Sequence, residues 1–306
     1  MHKISIIIPL NTSKKINKVI YSALNQNYQD FQILIITDKN IDLIQNKKIT
    51  VIKVQKNCNI PTLLNIGIEA SDSKYVCFLN PNDLLLYNAL KNRYQEFQKN
   101  NDLAVCYGFG IDTDNDYQVI QNQNYQYFSD NIRLPENNIR TALSSEMDLS
   151  FSSFMIKKDI LMNLKFDPAL KTTYIWDFII KLFNNYGENI CQINEPVYIS
   201  SENKYNNQSN FINYLKEANN LLDDYFKKAI QENDFNINCF RRLYYYMFSI
   251  LIEYYPSNFW LRFYLLASYL NKNKQLENKL FEFWFLCVLF NSVTVAKNSL
   301  LKQKIA

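Results

Sequence analysis

The chain opens with a nearly unbroken β-branched run, KISIIIPL (3–10), the pattern of a strand covered on both faces. KKINKVIYSALNQ (14–26) then sets Ile16, Val19, Ile20, Ala23 and Leu24 at helical spacing. FQILIITD (31–38), TVIKV (50–54) and KYVCFLN (74–80) predict three more strands, with a second helix over 62–70 carried by Leu63, Leu64, Ile66 and Ile68. Strands alternating with helices predict a parallel α/β sheet. Ligands of such sheets bind beyond the carboxyl ends of the strands. Asn11, Asp38 and the segment 80–83 all fall there.

The pattern changes further along. DLAVCYGFGID (102–112) reads as another strand, and 113–145 is polar enough to predict a loop over the strand ends. FSSFMIKKDILMNL (151–164) predicts a strand running into a helix, YIWDFIIKLFNNYG (174–187) an amphipathic helix ending at Gly187, and CQINEPVYIS (191–200) a last strand. From about Asn210 the periodicity is helical throughout. The expected organisation is therefore an α/β domain over 1–205 and an all-helical C-terminal extension over 206–306.

Composition narrows the function. The formal charge of +4, from 33 Lys+Arg against 29 Asp+Glu, is too mild to imply nucleic-acid binding. The excess collects after Ser257, where Arg262, Lys272, Lys274, Lys279, Lys297, Lys302 and Lys304 face only Glu277 and Glu282. FWLRFYLL and FEFWFLCVLF lie in the same region, which predicts a helical cap, a dimer or partner surface, or a membrane-facing segment. Leu280–Ala296 is apolar but interrupted by Glu282 and Asn291, and short for a spanning helix. ISIII runs straight into Pro9 without a leader's cleavage site. A cytoplasmic protein, peripheral on the inner membrane face, is the expectation. Six scattered cysteines with no C-x-x-C pair predict free thiols in a reducing compartment. The single histidine, His2, excludes a histidine triad or a histidine-rich metal site elsewhere.

Five fragments, in order, carry a resemblance. Pro9-Leu10-Asn11 follows the first strand; Ser22, Gln26, Tyr28, Asp30, Phe31 and Gln32 precede the second; Asp38 and Asp42 follow it. Asn57, Asn65, Gly67 and Ile68 come next, and Phe78-Leu79-Asn80-Pro81-Asn82-Asp83 closes the fourth strand. Together they resemble the family 2 glycosyltransferases, over roughly residues 3–205. The resemblance implies the GT-A fold: a Rossmann-like, mostly parallel central sheet flanked by helices. It implies transfer of a sugar from a nucleotide-sugar donor, UDP-linked, to a surface glycan or glycoprotein in polysaccharide assembly.

The resemblance also implies roles. Pro9, Asn11, Asp38, Asn65, Asn80 and Asn82 fall at nucleotide-sugar-binding positions, with Asp38 accepting from the base. The family neutralises the departing diphosphate with Mg²⁺ or Mn²⁺ on an acidic motif. Hard cations want anionic oxygen, and positions 80 and 82 are amides, so Asp83 is left to make a weak metal site or none. A plainer reading makes 81–83 a turn into a helix over Leu84–Phe97. The catalytic base of inverting members sits in an E-D pair opening an amphipathic helix. Here Tyr174-Ile175 occupy the pair and Asp177 lies two residues, about half a turn, beyond it. Asp177 is the candidate base, or a helix N-terminal acid favoured by the dipole. Because fold motifs persist while acidic ones thin, a non-catalytic GT-A-like module that binds a sugar nucleotide, a glycan or a partner transferase stands beside the active enzyme.

Overall fold

A computed structural model describes residues 2–11, 15–113, 117 and 150–200, with a few positions between 213 and 221. The helical pattern after Asn210, most of the polar segment 113–145, and two of the six cysteines, Cys239 and Cys287, lie outside the described residues. The chain divides into two compact units, Met1–Asn203 and Lys204–Ala306, and the fold below is that of the first.

Its frame is an eight-stranded sheet in the order β3-β2-β1-β4-β7-β6-β8-β5. The strands are β1 (Ile4–Leu10), β2 (Phe31–Thr37), β3 (Ile49–Lys53), β4 (Tyr75–Phe78), β5 (Asp83–Leu85), β6 (Val105–Asp112), β7 (Phe154–Lys157) and β8 (Ile190–Ser200). The helices are α1 (Ile16–Leu24), α2 (Ile60–Ala70), α3 (Ala89–Lys99), α4 (Lys158–Asn163) and α5 (Tyr174–Tyr186). All seven residues of β1 are buried, as its β-branched run requires of a central strand. β3, at the edge, is half exposed, with Val51 41% accessible.

β1, β2, β3 and β4 pair in parallel. Beyond β4 the expected mostly parallel sheet becomes mixed: β7 runs antiparallel to both β4 and β6, and β5 antiparallel to β8. Only the β6–β8 pair restores the parallel sense. An antiparallel strand needs no right-handed crossover of the kind that joins parallel neighbours. A second correction concerns 83–86. Asp83–Leu85 pairs with Tyr198–Ser200, and the helix begins at Ala89 rather than Leu84. The eleven-residue β8 offers backbone partners there that a helix turn at Leu84 would leave unused.

Two family-motif fragments turn out to be structural. Ser22 Oγ accepts from Leu85 N–H (3.0 Å), and the buried Gln26 donates to Leu86 O (2.9 Å) and accepts from Leu90 N–H (3.1 Å). They tie the end of α1 to the chain leaving the 80–83 corner. Gly67 lets α2 lie close on β1: a Cβ there would stand 2.4 Å from Ile7 Cγ2, a fully buried branched methyl.

Gly67→Ala should therefore destabilise the domain. Overpacking costs about 1–3 kcal/mol and the helical preference of Ala returns at most about 1. A urea midpoint lowered by the remainder is expected; an unchanged midpoint would show that Ile7 can yield.

Candidate active site

The parallel half of the sheet places its carboxyl ends side by side. Pro9 is buried within β1 opposite Ile36, so it shapes the strand end, and Asn11 stands just past it, partly exposed. Asp38 follows β2 with its side chain only 4% exposed. Its Oδ2 accepts from the backbone N–H of Asn57 (3.0 Å) and pairs with Lys39 Nζ (3.1 Å). The Asn57 amide, and after it the Lys39 ammonium, hold the Asp38 carboxyl below the ordinary carboxylate range. Asn57 reaches it from a left-handed backbone (φ 68°), which Asn tolerates better than most residues. The other oxygen, Oδ1, is buried and has no partner among the described residues.

The 80–83 corner is built from the inside. Asn80 Oδ1 accepts from Asn82 N–H (3.0 Å), closing an Asx turn, and Asn80 O accepts from Asp83 N–H (3.0 Å). Asp83 is 1% exposed, and its Oδ2 accepts from Ser150 Oγ (2.9 Å) and Ser152 Oγ (2.7 Å). Ser152 Oγ also accepts from Asn80 N–H (3.0 Å). Behind the serines lies Arg93, fully buried, whose Nη1 donates to Ser152 O (3.3 Å) and Ser153 O (2.9 Å). Asp83 and Arg93 are thus opposite charges joined through one serine. Ser150, Ser152 and Arg93 were not singled out in the sequence. Arg93 was findable, since it shares the α3 face of Ala89, Leu90 and Phe97, an apolar stripe with one cation in it.

As a metal site this corner fits poorly. It presents two amides and one carboxylate turned inward onto hydroxyl groups, whereas Mg²⁺ and Mn²⁺ want several anionic oxygens. Among the described residues no group of three or more His, Cys, Asp or Glu comes together.

Asn65, at another expected donor-binding position, is held by the main chain of Phe166. Its Nδ2 donates to Phe166 O (2.8 Å) and its Oδ1 accepts from Phe166 N–H (3.0 Å). Asn59, the N-cap of α2, donates to Pro168 O (2.6 Å), and Glu69 pairs with Lys165 (2.5 Å). This side of α2 therefore grips the main chain of 166–168. The Phe166 ring, so fixed, stacks on Phe178 (4.3 Å) and meets Phe78 (5.5 Å) and Tyr174 (6.1 Å) edge-on. The end of β4 and the first turns of α5 are thereby locked to one ring. Asp177 lies in that part of α5, 4% exposed, with Oδ2 2.6 Å from Lys181 Nζ. A separate cavity of about 470 Å³ is lined by Tyr21, Ser22, Leu24 and Asn25 in the C-terminal half of α1, away from the strand ends.

The model of the family described as glycosyl transferase family 2 matches residues 5–165. The chain belongs to glycosyl transferase family 2. It is 31% identical over 118 residues to a glycosyltransferase of Haemophilus influenzae, covering 35% of this chain and 47% of that one. Over 128 residues it is 30% identical to the poly(ribitol-phosphate) beta-N-acetylglucosaminyltransferase TarP of Staphylococcus aureus, covering 37% of this chain and 38% of that one. It thus spans about half or less of these relatives' length. The longer match to a Rickettsia prowazekii glycosyltransferase, 25% identical, covers 75% of this chain and 73% of the relative. In fold the chain is similar to S. aureus TarS 1–349 solved with UDP-GlcNAc, with a TM-score of 0.58, 12% identity, and coverage of 94% of this chain and 79% of that one. The mixed sheet with flanking helices is the GT-A fold of this family. Among the described residues no helix is long and apolar enough to cross a membrane.

Two outcomes follow from the geometry. Ser152→Ala removes a donor to a buried carboxylate and should cost about 1–3 kcal/mol, whereas Ser153→Ala, whose hydroxyl has no partner among the described residues, should be close to neutral; paired denaturation curves check this. Carboxylate NMR should find Asp38 titrating below the ordinary range, and still below it in Lys39→Ala, because the Asn57 amide is the larger cause. The sign is that of a depressed carboxyl: its stabilising contacts are complete above the unfolded-state pKa and are lost as pH falls through the lower folded value.

Proposed function

We propose that this chain takes a sugar from a UDP-linked donor and transfers it to a surface glycan or glycoprotein acceptor. The observation that carries the reading is Asp38: a carboxylate beyond the end of β2, one oxygen fixed by Asn57 and Lys39, the other buried and unpartnered. Such an oxygen is an acceptor for an N–H of a base stacked over the strand ends. The names of its relatives agree with this, TarP being an N-acetylglucosaminyltransferase and TarS having been crystallised with UDP-GlcNAc. Asn11, Asn80 and Asn82 line the same strand ends and contact ribose and phosphates. Asp177, held at 2.6 Å by Lys181, takes the proton of the acceptor hydroxyl.

The transferase module comprises residues 1–205. Residues 206–306 are a helical extension whose basic, aromatic pattern serves a homodimer or a partner transferase and holds the protein at the inner membrane face. No nucleic acid is involved. The second reading, a non-catalytic module that binds a sugar nucleotide, a glycan or a partner transferase, is favoured by the Asp177–Lys181 pair, which occupies Oδ2 of the candidate base.

Release of nucleotide from a panel of nucleotide sugars separates the two. For the enzyme, Asp177→Asn should lower kcat about 10²–10⁴-fold with the donor KM unchanged. Asp38→Ala should weaken UDP binding about 10–100-fold, the worth of one charged hydrogen bond. UDP binding without turnover of any donor would leave the non-catalytic module.

A further inference from the structure

In a sugar transfer from a nucleoside diphosphate donor, negative charge builds on the leaving diphosphate as the glycosidic bond breaks, and something positive must meet it. The amides at 80 and 82 and the inward-facing Asp83 leave that charge unprovided by a cation held at this corner. Two ammonium groups stand beside it. Lys15 caps the N-terminus of α1 and Lys18 lies one turn on; their Nζ atoms are 4.6 Å and 5.7 Å from the centre of the Tyr117 ring. The Tyr117 hydroxyl donates to the backbone carbonyl of Asn82 (3.2 Å), which places ring and ammonium groups over the 80–83 corner. Tyr117 holds this post with a left-handed backbone (φ 64°), a rare conformation for a bulky side chain that persists only where its surroundings impose it.

We infer that Lys15 and Lys18 supply the positive charge for the donor's diphosphate, so that this transferase binds and uses its nucleotide sugar without a divalent cation. Two like charges on one aromatic ring repel each other, and a dianion between them relieves that repulsion. Among the described residues no carboxylate pairs with Lys18, and the first turn of α1 carries no acidic residue. The field of the helix N-terminus has the same sign as the lysines and adds to theirs. At the corner itself, Asp83 Oδ2 is taken up by the hydroxyls of Ser150 and Ser152, so that oxygen is turned away from a metal. A lysine acts on phosphate as a point charge and asks no coordination geometry of its neighbours. Amides at 80 and 82 fit that arrangement, because carboxylates there would compete with the phosphates for the same ammonium groups.

This inference rests on the nucleotide-sugar reading, and the experiment separates the two. UDP and uridine binding to the full chain are measured by calorimetry in EDTA and in Mn²⁺, for the wild type and for Lys15→Gln with Lys18→Gln. The expected result is UDP binding in EDTA within about threefold of that in Mn²⁺. The double variant, with its melting temperature unchanged, should lose UDP affinity tenfold or more and keep its affinity for uridine. Its UDP affinity should also depend less steeply on salt. UDP binding that requires Mn²⁺ and is indifferent to the lysines would overturn the inference and leave the nucleotide-sugar reading standing. Failure of UDP and uridine to bind in either buffer would overturn both. Equal losses for uridine and UDP would make the lysines mere supports of Tyr117 and likewise overturn the inference.

Discussion

Asp83 is a charge placed where water cannot reach it, and the architecture of the site follows from the need to compensate it. A buried carboxylate costs several kcal/mol unless it is hydrogen-bonded and faced by opposite charge. Here the compensation is assembled from three distant parts of the chain: β5, which carries Asp83; the turn before β7, which carries Ser150 and Ser152; and α3, which carries Arg93. None of the three is complete alone. Joining them brings β7 to β4, seats α3 behind the sheet and presents the amides of 80 and 82 at the strand ends. The same bonds that solve a problem of solvation thus draw the outline of the site.

A second lock connects that corner to α5. The amide of Asn65 grips the main chain of Phe166, and the Phe166 ring is shared between Phe78 of β4 and Phe178 of α5. The end of β4, which leads into the 80–83 corner, and the turn of α5 that carries Asp177 are therefore held by one ring. Asn65 thus serves the frame through its two bonds to the main chain of Phe166.

Much of the fold was legible because β1, β2 and β4 are covered on both faces and so read as continuous apolar runs. What escaped were features set by long-range pairing. Three residues of β5 carry no periodicity of their own, and the direction of β7 depends on where the chain has been. In the site, Asp38 stood out because it follows a strong strand. Ser150 and Ser152 looked like ordinary small polar residues, because a hydroxyl declares its partner only when the fold brings one within reach. Asn80 and Asn82 were visible as amides beyond a strand; that they close a turn is a fact of geometry.

The grip of α2 on 166–168 carries a further consequence, for how such a domain can change over generations. Asn59 and Asn65 hold main-chain atoms, and main-chain atoms are the same whatever the side chain. Residues 167 and 168 can therefore drift without loosening the clamp, while Phe166, which fills space among three other rings, cannot. The segment combines one fixed aromatic with neighbours whose side chains the clamp does not use, beside the helix that carries Asp177. Lineages could remodel what approaches that helix there while inheriting the frame intact.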